Sequence, residues 1–248
     1  MDGIWQEDAH VRSYEADLSG KLTMEGLLKI FQEAAWNHAE QLGVGYSHLK
    51  AKGCVWVLSR MMIAIETFPV WCQSVRVRTW PRGTQSLLAL RDFELRDAEG
   101  RKLAAATSGW MILDLQSRRP QRADSWLEAI RTFPDRKATG ADPEKIVPHG
   151  DVAASTFARV KYSDLDLNDH VNNTTYVRWI LDGYPVEFHR SHMVKRLALN
   201  FLAEVNATDS VAFNSREVGE YRFQHRVVRQ RDGAEVCRAD LLWTPKFR

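Results

Sequence analysis

Cysteine is scarce in this sequence: Cys54, Cys72 and Cys237 are the only three, odd in number and far apart. That usage argues against a disulfide framework. Long apolar runs are missing as well; none approaches the ~18 residues that span a bilayer. The opening stretch MDGIWQEDAHVRSYEADLSG carries acids where a secretory signal has its apolar segment. A cytoplasmic address is expected, and there the overlapping sequons at Asn172 and Asn173 are never read. Charge of one sign is lacking: a formal net charge of +2 over 248 residues gives nucleic acid little footing as a main partner. Neither a phosphate-cradling glycine loop nor a G-x-S-x-G elbow occurs, which argues against nucleotide use and a serine hydrolase. His189 and His192 form an HxxH, but no nearby Cys or acid completes a metal set, so a polar loop is expected there. No cofactor and no metal are expected.

What is present is a pattern of elements that occurs twice. LTMEGLLKIFQEAAWNHAEQLG reads as a helix, with Thr23 as its cap and Met24, Leu27, Leu28, Phe31, Ala35, His38 and Leu42 at helical spacing. Gly43 is its stop. Four strand-like stretches follow: CVWVLSRMMIAIET, SVRVRTW, SLLALRDFELRD and RKLAAATSGWMILDL, the last two joined by the turn DAEGR. Residues 116–150 break the pattern with four of the eight prolines and a cluster of charges, as a linker crossing a surface would. Beyond it come a short strand, STFARVKY, the segment DLDLNDHVNN, a helix TTYVRWILDGY, and strands at MVKRLALNFLAEV, SVAFNSREV, EYRFQHRVVRQ and AEVCRADLLWTP. Asp-Gly in the last connection is a hairpin signal. A helix followed by antiparallel strands, twice over, predicts a duplicated α+β unit. The expected boundaries are 1–115, a linker 116–150, and 151–248.

The residues resemble the acyl-acyl-carrier-protein (acyl-ACP) thioesterases of plants and bacteria over nearly the whole chain. In the first half the resemblance rests on RSYEADLSGKLTMEGLLKIFQEAAWNHAEQLG, WVLSRMMIAIETFPVW and RVRTW; in the second, on SDLDLNDHVNNTTYVRWILDG and LALNFLAEV. It implies tandem hotdog domains, each a long helix wrapped by a curved antiparallel sheet. The implied activity is release of free fatty acid from acyl-ACP, with acyl-carrier protein as partner and no membrane span; a homodimer stays open. Motif matching puts family roles on Asp166, Asn168, His170 and Glu204. Plant members have Cys directly after that Glu; here the position is Val205, which leaves no thiol nucleophile there.

In an extended segment, side chains at i, i+2 and i+4 share one side, so Asp166, Asn168 and His170 are expected to face together. The free N–H groups of the helix start are expected to point at the same spot and stabilise a thioester oxyanion. In the favoured scheme Asp166 and His170 activate a water, Asn168 positions it or the thioester, and Glu204 orients a partner. Direct attack by Asp166 stays open. A purely structural reading makes Asp166 and Asn168 turn residues, His170 a helix-start residue and Glu204 a solvated charge.

The first half reads YEADLSGKLTM before its helix, without a His or an Asn pair, so one active site per chain is expected. That frees the first domain to hold the acyl tail, with Trp56, Met61, Met62, Trp110 and Met111 as candidate lining. Two methylenes are worth about 1.6 kcal/mol, or roughly fifteenfold in binding, so one bulky residue at the pocket floor could set chain length. Arg190, Lys195 and Arg196 are the candidate docking patch for an acidic carrier, ahead of Arg118, Arg119 and Arg122 in the linker. The competing readings are an acyl-CoA thioesterase and a non-catalytic acyl-binding hotdog protein.

Overall fold

The computed structural model describes residues 3–148, 150 and 156–246. The chain divides into two compact units, Met1–Pro143 and Glu144–Arg248. In the first, β1 (Trp5–His10) leads through a 3-10 turn to α1 (Met24–Gln41) and α2 (Tyr46–Ala51), then to β2 (Cys54–Ile65), β3 (Ser74–Gln85), β4 (Leu88–Arg96) and β5 (Lys102–Asp114). A two-residue β6 (Pro120–Gln121) pairs with β5 and precedes α3 (Asp124–Leu127). The antiparallel sheet runs β1-β3-β4-β5-β2. In the second unit β7 (Thr156–Arg159) precedes α4 (Asn173–Asp182), α5 (Val186–Ser191) and the strands β8 (His192–Phe201), β9 (Ser210–Gly219), β10 (Arg222–Arg229) and β11 (Glu235–Pro245). Its sheet runs β7-β9-β10-β11-β8. The two orders are the same order, element for element, as the duplicated α+β unit and tandem hotdog architecture require.

α1 starts where the cap predicts. The Thr23 side chain accepts the Gly26 N–H at 3.0 Å, and Gly43, at φ +72°, ends the run in a conformation that suits glycine. Its apolar stripe is buried from Met24 to His38, and Phe31 packs on Phe93 of β4 with ring centroids 5.0 Å apart. α4 is shorter, at ten residues. Gly183 and Pro185 interrupt it, and α5 continues after the proline, where a polar loop was expected. There His189 Nε2 meets the Leu181 carbonyl at 2.9 Å and the His192 ring stacks on Phe188 at 4.2 Å, so both imidazoles pack against their own unit. On the helix side of the second sheet Tyr176 lies edge-on to Phe201, and Trp179 to Phe213.

The proline-rich segment is anchored at both ends. Residues 133–142 cross the first sheet on the face opposite α1: Trp80 Nε1 donates to the Arg136 carbonyl, Asp92 accepts the Ala138 N–H at 2.7 Å, and Arg82 pairs with Asp142. The next residues belong to the second unit, where Asn200 accepts the Ile146 N–H at 2.7 Å and donates to the Glu144 carbonyl.

Candidate active site

Residues 165–171 do not form the extended segment expected. Leu165 bridges Val171, the Asp166 N–H donates to the His170 carbonyl at 2.8 Å, and the Asp169 N–H donates back to the Asp166 carbonyl at 3.1 Å. The chain reverses on itself, with Asp169 at φ +60°, a conformation Asp tolerates in turns. Asp166 and His170 share a side because they oppose each other across the mouth of this turn. Asn168 sits exposed at its tip, and its N–H donates to Asp166 Oδ1 at 2.8 Å. The helix start also supplies fewer free donors than expected: the Thr174 N–H goes to Asn172 Oδ1 and the Thr175 N–H to the Asn172 carbonyl, each at 2.9 Å.

The acid closest to His170 is Glu204. Its Oε2 lies 3.4 Å from His170 Nε2, and both side chains keep about a third of their surface open, enough to meet a substrate. Glu204 lies just beyond β8, and its segment is stitched to the turn: Val171 N–H donates to the Val205 carbonyl at 2.9 Å, and His170 bridges Asn206. Val205 is buried, which removes the family's thiol position from solvent altogether. Of the cysteines, Cys54 and Cys237 are buried and Cys72 is exposed; burial pushes the Cys237 thiol up, away from thiolate chemistry. A maleimide should therefore label Cys72 readily and leave turnover unchanged. Inactivation in step with Cys72 labelling would put a thiol back into the mechanism.

The first unit contains the same turn without the same chemistry. Ala16 bridges Leu22, the Asp17 N–H donates to the Lys21 carbonyl at 2.7 Å, Gly20 takes the positive φ, and Asp17 Oδ1 accepts the Ser19 N–H at 2.8 Å. Thr23 caps the helix as Asn172 does, and Leu22 N–H reaches the Pro69 carbonyl as Val171 reaches Val205. Position by position, Asp17 matches Asp166, Ser19 matches Asn168, Lys21 matches His170 and Phe68 matches Glu204. Sequence reasoning found no constellation in the first half and missed this shared frame, though a signal was there: Asp-Leu begins six residues before the helix cap in both ADLSGKLT and LDLNDHVN.

The five candidate pocket residues fall on both faces of the first sheet. Trp56 opposes Ile112, Leu58 opposes Trp110 and, past a bulge, Met61 opposes Ser108; Met62 opposes Thr107 and Met111 opposes Val57. Opposed residues share a face, so Trp56, Met61 and Trp110 lie on the side of Phe93 and α1. Met62 and Met111 lie on the other side, with Asp92 and the crossing segment, and cannot line the same pocket. The basic residues also differ among themselves. Arg190, on α5, is paired with Glu187 at 2.7 Å; Lys195 is partly buried at a bulge in β8; Arg196 is exposed.

Comparison with known proteins is consistent along the chain. The model of the acyl-ACP thioesterase N-terminal domain matches residues 3–129, and that of the C-terminal domain residues 150–245. The chain is 31% identical to a palmitoyl-acyl carrier protein thioesterase, chloroplastic, of Gossypium hirsutum, aligned over 99% of this chain and 65% of the relative. It is 28% identical to oleoyl-acyl carrier protein thioesterase 2, chloroplastic, of Arabidopsis thaliana, over 99% and 78%. Thus the chain spans about two thirds to three quarters of the length of these relatives. Among solved structures, an acyl-ACP thioesterase from Bacteroides thetaiotaomicron superimposes with a TM-score of 0.89 at 28% identity, covering 98% of each chain. A 12:0-ACP thioesterase from Umbellularia californica gives 0.86 at 25%, again over 98% of each.

Proposed function

This chain belongs to the acyl-ACP thioesterase family, and from that membership we propose that it hydrolyses the thioester of a fatty acyl-ACP and releases the free fatty acid. The observation that carries the proposal is the His170–Glu204 pair at the mouth of the turn, set in one copy of a frame whose other copy holds Lys21 and Phe68. In the proposed step His170 takes a proton from water as its oxygen attacks the thioester carbonyl, and Glu204 stabilises the imidazolium so formed. The exposed Asn168 amide donates to the developing oxyanion, a role the capped helix start is poorly placed to fill alone. Collapse breaks the C–S bond; the proton returns to the departing thiol, and the acid leaves. Asp166 holds the turn, and its carboxylate faces the same side as His170, so attack by Asp166 itself is the competing route. Trp56, Met61 and Trp110 form the acyl-facing wall of the first unit in this proposal. A cytoplasmic address goes with it, and cell fractionation tests that point.

The decisive measurement is free-thiol release by the purified protein from acyl-ACP and acyl-CoA over a series of chain lengths. Preferential release from acyl-ACP supports the proposal; release from acyl-CoA alone favours the CoA reading. No release from either, with tight acyl binding, makes the chain a carrier. For the docking patch, Lys195→Glu with Arg196→Glu should raise KM for acyl-ACP and flatten its salt dependence, since steering is screened within ~10 Å at 0.1 M salt. A short soluble thioester should be turned over as before. Equal losses on both substrates would place the carrier elsewhere.

A further inference from the structure

The two copies of the catalytic frame can be compared residue by residue beyond the turn itself. His10 pairs with Ser74 in the first unit as Arg159 pairs with Ser210 in the second. From there Val75 matches Val211, and the strand register carries the match across to the next strand. Arg76 opposes Arg96 and Val77 opposes Leu95; Ala212 opposes Val228 and Phe213 opposes Val227. Asp97 in the first unit therefore matches Arg229 in the second. Both open a hairpin: the Asp97 N–H donates to the Arg101 carbonyl at 3.0 Å and the Arg229 N–H to the Ala234 carbonyl at 2.8 Å.

Their side chains do different things. Asp97 turns into its own hairpin, accepting from the Arg101 N–H and Nε. Arg229 faces two ways. Its Nε and Nη2 grip both oxygens of Asp232 at 3.1 and 2.7 Å, and its Nη1 donates to the main-chain carbonyl of Glu204. The grip on Asp232 holds that carboxyl down to about 2, with the Ala234 N–H adding to it. The Arg229 side chain is nearly covered, at 13% exposure, so its reach is set by packing. The Glu204–Asn206 segment is thus held from two sides: by Arg229 at the Glu204 carbonyl and by the turn at Val205 and Asn206.

We propose that Arg229 is a positioning residue: it ties the Glu204 peptide to Asp232 and thereby fixes where the Glu204 carboxylate meets His170. The copy that carries His170 and Glu204 carries the arginine; the copy with Lys21 and Phe68 has no carboxylate to aim and carries Asp97. A guanidinium suits the task because its rigid fork spans a carboxylate and leaves a further N–H for a carbonyl, which a lysine ammonium cannot do in one fixed geometry. This inference rests on the thioesterase reading of the site.

The test is a double-mutant cycle on acyl-ACP hydrolysis, with thermal melts to establish folding. Arg229→Met should lower kcat by about tenfold to a hundredfold, the scale of small misplacements in an active site, with KM within about twofold. In a Glu204→Ala background the same change should cost almost nothing further, because the group being aimed is gone. Losses that multiply in the cycle, or an unchanged kcat in folded Arg229→Met, overturn the proposal. Should Arg229→Met fail to fold, Arg229→Lys carries the test. It should lose kcat with KM held, and a wild-type kcat there overturns the proposal equally. A wild-type protein that releases no thiol, or a Glu204→Ala variant at full speed, sinks the reading of the site instead, and so the two failures are told apart.

Discussion

His170→Ala is expected to lower kcat on acyl-ACP by about a thousandfold, within the range that a general base contributes, while leaving the fold intact. Its ring keeps about a third of its surface open, so removing it opens no core cavity. Glu204→Ala should follow with a smaller loss, since it acts on the imidazole and not on the substrate. Asp166→Ala should fall with His170→Ala, as it loses both the turn's acceptor and a carboxylate on the same side of the turn as His170. Asp166→Asn then separates the two roles. An amide oxygen can still accept the Asn168 N–H, so retained turnover leaves Asp166 the turn alone, and lost turnover in a folded protein assigns its carboxylate to the chemistry. A folded His170→Ala enzyme at near-normal rate would remove the base from the scheme.

The second large effect is on stability in mild acid. Among the described residues each unit buries one imidazole in its neutral form. Burial, aided by the neighbouring Arg91, depresses His38 to about 3; burial depresses His225 to about 4 against a small pull from Asp240. Arg91 donates to His38 Nδ1 at 3.0 Å, and the Tyr184 hydroxyl meets His225 Nε2 at 2.8 Å. The unfolded chain binds a proton on each ring near the ordinary value of 6.5, whereas the folded chain refuses it until pH falls to those depressed values. Stability is therefore complete above 6.5 and drains away as pH drops toward 4. By pH 5 each imidazole should have cost about 2 kcal/mol, a large share of an ordinary domain's margin. Buried Asp92, whose carboxyl burial pushes up, works in the opposite sense. His225→Gln keeps a partner for Tyr184 and isolates the imidazole: urea unfolding at pH 7 and pH 5 should show the variant losing about 2 kcal/mol less than wild type. Equal acid sensitivity in the two proteins would rule this account out.

Elements with strong local signals were legible in the sequence. α1 begins at its Thr23 cap and ends by Gly43, and each expected strand lies within about two residues of its place at most ends. β1 was not legible, because Trp-Gln-Glu-Asp-Ala-His offers almost no apolar alternation; it is a strand because β3 supplies its hydrogen bonds. α2 and α5, at six residues each, are too short to declare a period. In the site, the residue types that make the His170–Glu204 pair could be named, but their geometry could not. The turn depends on a positive φ at Asp169 and on backbone bonds between residues far closer in space than any periodicity implies. Pocket residues fared worst: alternation along a strand already separates Trp110 from Met111 and Met61 from Met62, and the bulge between Leu58 and Arg60, which leaves no mark in composition, puts Met61 and not Met62 on the side of Trp56.

The shared turn gives this molecule an internal control for its own mechanism. Any change that tests the scaffold can be made at Asp17 as well as at Asp166, in the same chain under the same conditions. The loss of melting temperature at Asp17 measures what the turn's carboxylate is worth in the first unit, where its Oδ1 accepts the Ser19 N–H, the Ser19 hydroxyl and the Lys21 N–H; Asp166 Oδ1 accepts the Asn168 N–H. A loss of turnover at Asp166 that comes without a larger loss of melting temperature than at Asp17 is then assigned to catalysis. The turn that holds Lys21 thereby shows, in the same chain as the turn that holds His170, which backbone bonds the shape itself requires.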